Sequence, residues 1–170
     1  MFVVGLVAGG LLSGAVLGAL SGLSAPLPAT WRYGTIVAVA LIGVLREAKL
    51  VSIPLPQNAR QVPQDALRRS PLRGALHFGF ELGTGVRTYL SATAPYVLAV
   101  AVFLGGQHLL VAAFAGAGFG AGRAATPLIR LASGAVEGWD ADLRARLRAI
   151  TVAGCAALAA AFGLLFLRQS

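Results

Sequence analysis

No charged side chain occurs before Arg32, none between Thr88 and Gly122, and none between Ala149 and Leu167. Uncharged runs of this length leave few options, because about 20 apolar residues rising 1.5 Å each cross the roughly 30 Å hydrocarbon core of a bilayer. Inside hydrocarbon the backbone must satisfy its own hydrogen bonds, which a helix does locally. A soluble fold is a poor alternative. With 57% hydrophobic and 12% charged residues, and a mean hydropathy of +0.78, the chain has too little polar surface to cover itself. The expected fold class is all-α: a polytopic membrane protein with about five transmembrane helices, one of them broken or re-entrant. Residues 1–170 are expected to form a single transmembrane domain in a bacterial-type inner membrane.

The first expected span covers residues 2–23 and carries Gly10, Gly14, Gly18 and Gly22 at four-residue intervals. In an apolar helix such a stripe lets another backbone approach closely. A signal peptide needs a basic leading region that Met-Phe-Val-Val does not supply, so the span is expected to be retained. After a turn holding Pro26 and Pro28, Trp31 and Tyr33 open a second span over 31–45 at the depth where amphipathic aromatics sit. Residues 46–73 contain Pro54, Pro56, Pro63 and Pro71 and are expected to be loop, with a short surface helix near Gln64 to Arg69. Region 74–104 exceeds a single plain span and is interrupted by Glu81, Gly83, Gly85, Arg87 and Pro95. Two arrangements stay open there: a half-helix followed by a span, or one long tilted helix. A fourth span covers 109–129, where Gly116, Gly118, Gly120 and Gly122 again predict close packing. A polar loop over 130–148 leads to the last span, 149–167.

Basic residues set the orientation. With the N-terminus cytoplasmic, Arg46, Lys49, Arg60, Arg68, Arg69, Arg73, Arg123, Arg130, Arg144, Arg146 and Arg148 all lie inside, against Arg32 and Arg168 outside. The net charge of +8 is thereby a topology signal. It is confined to connections and does not form the exposed basic face a nucleic-acid binder needs, so no nucleic-acid partner is expected. Cys155 is the sole cysteine, which precludes an intramolecular disulfide, and its apolar setting predicts a small packed residue. His77 and His108 are expected at the membrane interfaces. No metal-ligand spacing, nucleophile and base pair, or phosphate loop is present, so neither cofactor, metal nor catalytic residues are expected.

The ionisable and hydroxyl residues gather in one apolar region, where Glu81, Thr84, Arg87, Thr88, Tyr89, Ser91, Thr93 and Pro95 follow one another. A charge at membrane depth is costly and finds a partner or a hydrated cavity. Three readings stay open: a polar site near the midplane, a structural Glu81–Arg87 pair, or a Glu81 that snorkels to the headgroups. Regular helix sets Glu81 and Arg87 roughly 120° apart, so direct contact needs a deviation at Gly83-Thr-Gly85. The donor-rich stretch Asn58 to Gln64 is a second candidate, for a partner or a lipid headgroup.

The words Gly79-Phe-Glu-Leu-Gly83, Ser91-Ala-Thr-Ala-Pro95-Tyr-Val-Leu98 and Ala117-Gly-Phe-Gly-Ala-Gly-Arg-Ala-Ala-Thr-Pro127-Leu128 resemble the second half of the CcdA and DsbD type transmembrane proteins of cytochrome c biogenesis. The resemblance spans about residues 77–128. It implies a small helical scaffold with broken helices around a midplane cavity, or an assembly of two copies. It does not carry over the redox chemistry, because alanines and hydroxyl residues precede Pro95 where that family has its cysteine. The sequence thus predicts a non-enzymatic carrier or transporter-like subunit working as an oligomer. The alternative is a structural or assembly subunit of a larger membrane complex, with a CcdA-like redox factor behind both.

Overall fold

The computed structural model describes residues 1–55, 71–85, 92–134 and 136–168. Among these every regular element is a helix, without strands: α1 (Phe2–Leu20), a 3-10 turn (Ser21–Ser24), α2 (Ala29–Glu47), α3 (Pro71–Thr84), α4 (Ala94–Leu104), α5 (Leu109–Ser133) and α6 (Val136–Leu167). Three stretches are long and apolar enough to cross a membrane: Phe2–Ser24, Leu109–Ser133 and Gly138–Leu167. The expected span at 31–45 is occupied by α2, whose 19 residues include Arg32, Arg46 and Glu47. Region 74–104 holds two helices, of 14 and 11 residues. At 1.5 Å per residue these measure about 21 and about 16 Å, each short of the hydrocarbon thickness.

One expectation is corrected at 130–148, which was read as a polar loop. Gly134, with φ 65°, closes α5 in the left-handed conformation, the usual glycine stop signal, and α6 starts two residues later. From there to Leu167 no proline intervenes, and Ala141, Leu143, Arg144, Ala145, Arg146 and Leu147 all favour helix. The helix therefore runs 32 residues. Charge content marked this stretch as polar, yet polarity does not stop a helix.

The chain, read as one domain from its sequence, divides into two compact units. Unit 1 contains α1, α3 and α5. Its centre is α1, whose buried residues are Gly5, Leu6, Gly9, Gly10, Gly14 and Gly18. These form two faces. On one, a side chain at Gly5 would collide with the Leu76 carbonyl of α3 and one at Gly9 with that of Phe80, while Gly79 and Gly83 of α3 lie against the carbonyls of Phe2 and Leu6. Partner numbers rise together, so α1 and α3 run parallel. On the other face Gly10 abuts the Gly116 carbonyl, Gly14 meets Ala112 and Gly116, Gly18 meets the Ala112 side chain, and Gly120 abuts Leu6. Here the numbers run oppositely, and α5 is antiparallel to α1. Glycine weakens a helix in water by about 1 kcal/mol, but it permits this approach of backbone to backbone. Of the glycines expected to pack helices, Gly22, Gly118 and Gly122 are exposed, and a Cβ there would meet open space.

Unit 2 contains the 3-10 turn, α2, α4 and α6. Tyr33, Ile36 and Ala101 form its buried cluster, with Val100, Leu104, Phe162 and Phe166 packed around them. Ser24 Oγ lies 2.7 Å from the Ser21 carbonyl and 3.2 Å from that of Phe103, so its hydroxyl serves a carbonyl of the last turn of α4.

Candidate functional site

Short helices with buried ends expose backbone groups that have no partner within the helix. In unit 1, α3 ends at Thr84, level with Ser13 in the middle of α1. Ser13 Oγ donates to the Thr84 carbonyl at 3.0 Å, and Thr84 Oγ1 donates back to the Glu81 carbonyl at 2.8 Å. One turn before Thr84, the half-buried Glu81 carboxylate lies 3.4 Å from His77 Nε2, an i,i+4 pair in which His77 is the exposed member. A polar line thus runs along α3 from His77 through Glu81 to Thr84 and Ser13. Replacing Ser13 by Ala should cost about 1 kcal/mol, read as a lowered unfolding midpoint in detergent micelles; an unchanged midpoint would show that the Thr84 carbonyl has another donor.

In unit 2, α4 begins after Thr93, and the chemistry of its first turn comes from α2. Glu47 Oε1 accepts from the Thr93 N–H at 2.9 Å, from the Thr93 hydroxyl at 2.6 Å and from Arg46 Nη1 at 2.9 Å. Thr93 is the N-cap residue but makes no cap hydrogen bond of its own; a carboxylate from another helix takes that role. Negative charge is favoured at a helix N-terminus. Pro95 lies in the first turn of α4, where its missing N–H removes one group that would otherwise need an acceptor. Arg46 Nη1 also donates to Thr93 Oγ1 at 3.1 Å, and its Nε donates to the Ile53 carbonyl at 2.9 Å.

The Glu47 side chain is 9% exposed and lies beyond the expected span 31–45. Burial pushes its carboxyl pKa up, but hydrogen bonds from Thr93 and Thr151 and the nearby Arg46 charge outweigh that, and the net shift is downward. Glu47 Oε1 thus anchors the first turn of α4 to the end of α2. Its neighbour one turn earlier, Gly43, leaves room for Thr93 and Cys155: a Cβ at Gly43 would sit 3.1 Å from Thr93 Cγ2 and 3.5 Å from Cys155 Sγ. Cys155 is fully buried.

The residues expected to form a midplane site are thus placed as follows. Glu81 and Thr84 end α3 in unit 1, and Thr93 and Pro95 begin α4 in unit 2. Arg87, Thr88, Tyr89 and Ser91 lie outside the described residues, as does the stretch Asn58 to Gln64 with the surface helix expected near it. Glu47 and Arg46 were missed as site residues, Arg46 having been read only as a topology marker. The available signal was a carboxylate closing an apolar run and, in Thr93-Ala-Pro95, a helix start whose free N–H groups need acceptors.

No family model and no solved structure matches the chain. Two curated proteins do, each called methylamine utilization protein MauF. That of Paracoccus versutus is 29% identical over 108 residues, 61% of this chain and 39% of its own length. That of Methylorubrum extorquens is 37% identical over 116 residues, 64% of this chain and 36% of its own length. The match therefore spans less than two fifths of either relative.

Proposed function

We propose that the chain is a multi-pass membrane protein serving methylamine utilization as a non-enzymatic, carrier-like subunit, with the polar end of α3 at Glu81 and Thr84 as its working part. The process is suggested by the names of the two relatives. The carrier character rests on one observation: two helices too short to cross a bilayer, whose ends at Thr84 and Thr93 are held by polar side chains of other helices. Interrupted helices of this kind form the binding sites of many membrane carriers.

In this reading the chain crosses a bacterial-type inner membrane about five times. The N-terminus is cytoplasmic, as the eleven inward and two outward basic residues favour. Copies associate through the glycine faces left open at Gly118 and Gly122. The likeness to the CcdA and DsbD type proteins is one of scaffold; Ala94 stands immediately before Pro95, and no redox step is proposed. A structural or assembly subunit is the second reading, favoured by the three hydrogen bonds that Glu47 Oε1 accepts within unit 2.

Deletion of the gene in the organism that carries it should abolish growth with methylamine as nitrogen source and leave growth on ammonium unchanged. Restoring Glu81→Gln should give normal membrane levels but no growth. Unimpaired methylamine growth of the deletion would sink the process, and full rescue by Glu81→Gln would sink the site. Single cysteines at positions 81, 84 and 93, placed in a Cys155→Ala background, separate the two readings. A carrier lets an impermeant thiol reagent reach them, whereas an assembly subunit keeps them protected.

A further inference from the structure

The C-terminus of α2 holds a residue in a backbone conformation that its type disfavours. Lys49 has φ 57°, the one positive φ among the described non-glycine residues. Its N–H donates to the Arg46 carbonyl and that of Leu50 to the Leu45 carbonyl, each at 2.9 Å, which is the pattern of a helix stop normally occupied by glycine. A side chain here is strained, and strain retained at one position points to a use for that side chain. Lys49 is exposed, and Arg148 of α6 is brought beside it by a hydrogen bond from Nη2 to the Ala48 carbonyl. Arg144, four residues before Arg148, extends the same helix face and is exposed. Glu47, the acid nearest Lys49 in sequence, is engaged by Thr93 and Arg46, and Asp140 and Asp142 precede Arg144 on α6, with Arg144 Nε donating to the Asp140 carbonyl.

These cations are bordered by exposed apolar side chains: Leu50, Val51 and Ile53 after α2, Leu147 and Ile150 on α6. A soluble phosphate would have no use for that border, whereas a phospholipid presents both an anionic headgroup and acyl chains. We propose that Lys49 and Arg148, extended by Arg144, bind the headgroup phosphate of an anionic phospholipid at this end of unit 2. The proposal requires only that the chain lies in a bilayer, and stands apart from any role in methylamine utilization.

The test uses the purified full chain in dodecyl maltoside, titrated with phosphatidylglycerol, phosphatidylcholine or inorganic phosphate, with bound lipid read by native mass spectrometry. Phosphatidylglycerol should bind preferentially, and removal of either cation, by Lys49→Gly or Arg148→Gln, should weaken it about fivefold. Because glycine relieves the backbone strain, Lys49→Gly should leave the unfolding midpoint unchanged or higher, so that its loss of lipid cannot be a loss of fold. Equal binding of the two lipids, wild-type affinity in Lys49→Gly, or displacement of phosphatidylglycerol by inorganic phosphate would each overturn the proposal.

Discussion

Leucine in place of Gly10 or of Gly116 is expected to abolish the packing of unit 1. A Cβ at either position would overlap a carbonyl oxygen of the facing helix, and the next atoms it would meet are also backbone. Backbone cannot rotate away as a side chain can, so α1 and α5 would have to separate. Overpacking typically costs about 1–3 kcal/mol, and here the cost should reach the upper end even for alanine, because the contact between the helices is built on these glycines. With total stabilities of about 5–15 kcal/mol, a double Gly10→Leu, Gly116→Leu variant should yield little folded protein. Alanine at Gly118 or Gly122, where no atom lies within 4 Å, should stay within about 0.5 kcal/mol of wild type. Unfolding midpoints after detergent extraction distinguish the two sets. A wild-type midpoint for Gly10→Leu would mean that α1 and α5 do not meet through these residues.

Glu47→Ala should produce the second large effect, in unit 2. The substitution takes the acceptor from the Thr93 N–H and hydroxyl and the charge partner from Arg46, at a site where Glu47 is only 9% exposed, a loss of about 2–3 kcal/mol. Glu47→Gln, which keeps an acceptor and gives up the charge, should fall between. Amide exchange is the sharper readout: Thr93 and the first turn of α4 should lose protection while α2 keeps its own. Equal protection in Glu47→Ala and wild type would show that Glu47 does not hold the start of α4. The pH dependence has a definite sign. Because the folded carboxyl pKa is depressed, its stabilising contribution is full above the ordinary carboxylate range and is lost as the pH falls through the lower, folded value. The Glu47→Ala variant should lack that acid-side loss.

How much of this was legible beforehand differs between neighbouring residues of one motif. Gly116, Gly118, Gly120 and Gly122 look alike in sequence, yet Gly116 and Gly120 meet α1 while Gly118 and Gly122 face outward. At 3.6 residues per turn, positions four apart share a face and positions two apart do not. The periodicity therefore groups 116 with 120, but which group faces a partner depends on α1, about a hundred residues earlier. Gly5, Gly9, Gly79 and Gly83 form an equally close contact that was not foreseen as a pairing of α1 with α3. The candidate polar site was legible only in part. Thr93 and Pro95 stood out as polar interruptions of an apolar run, whereas their partner Glu47 is 46 residues away in sequence and looked like part of a cytoplasmic loop.

What the sequence alone determined is the class of structure, because burying an unsatisfied peptide group in hydrocarbon costs several kcal/mol and each long uncharged run must answer that cost by itself, as a helix. Composition and run length are local quantities, and they marked out α1, α5 and the apolar part of α6. The partners of those helices, the two faces of α1, the rescue of the Thr84 carbonyl by Ser13 and of the Thr93 N–H by Glu47 were decided by the tertiary structure. Each is a contact between groups whose separation along the chain has no period, and a helix end can be satisfied by any donor or acceptor that packing brings within about 3 Å.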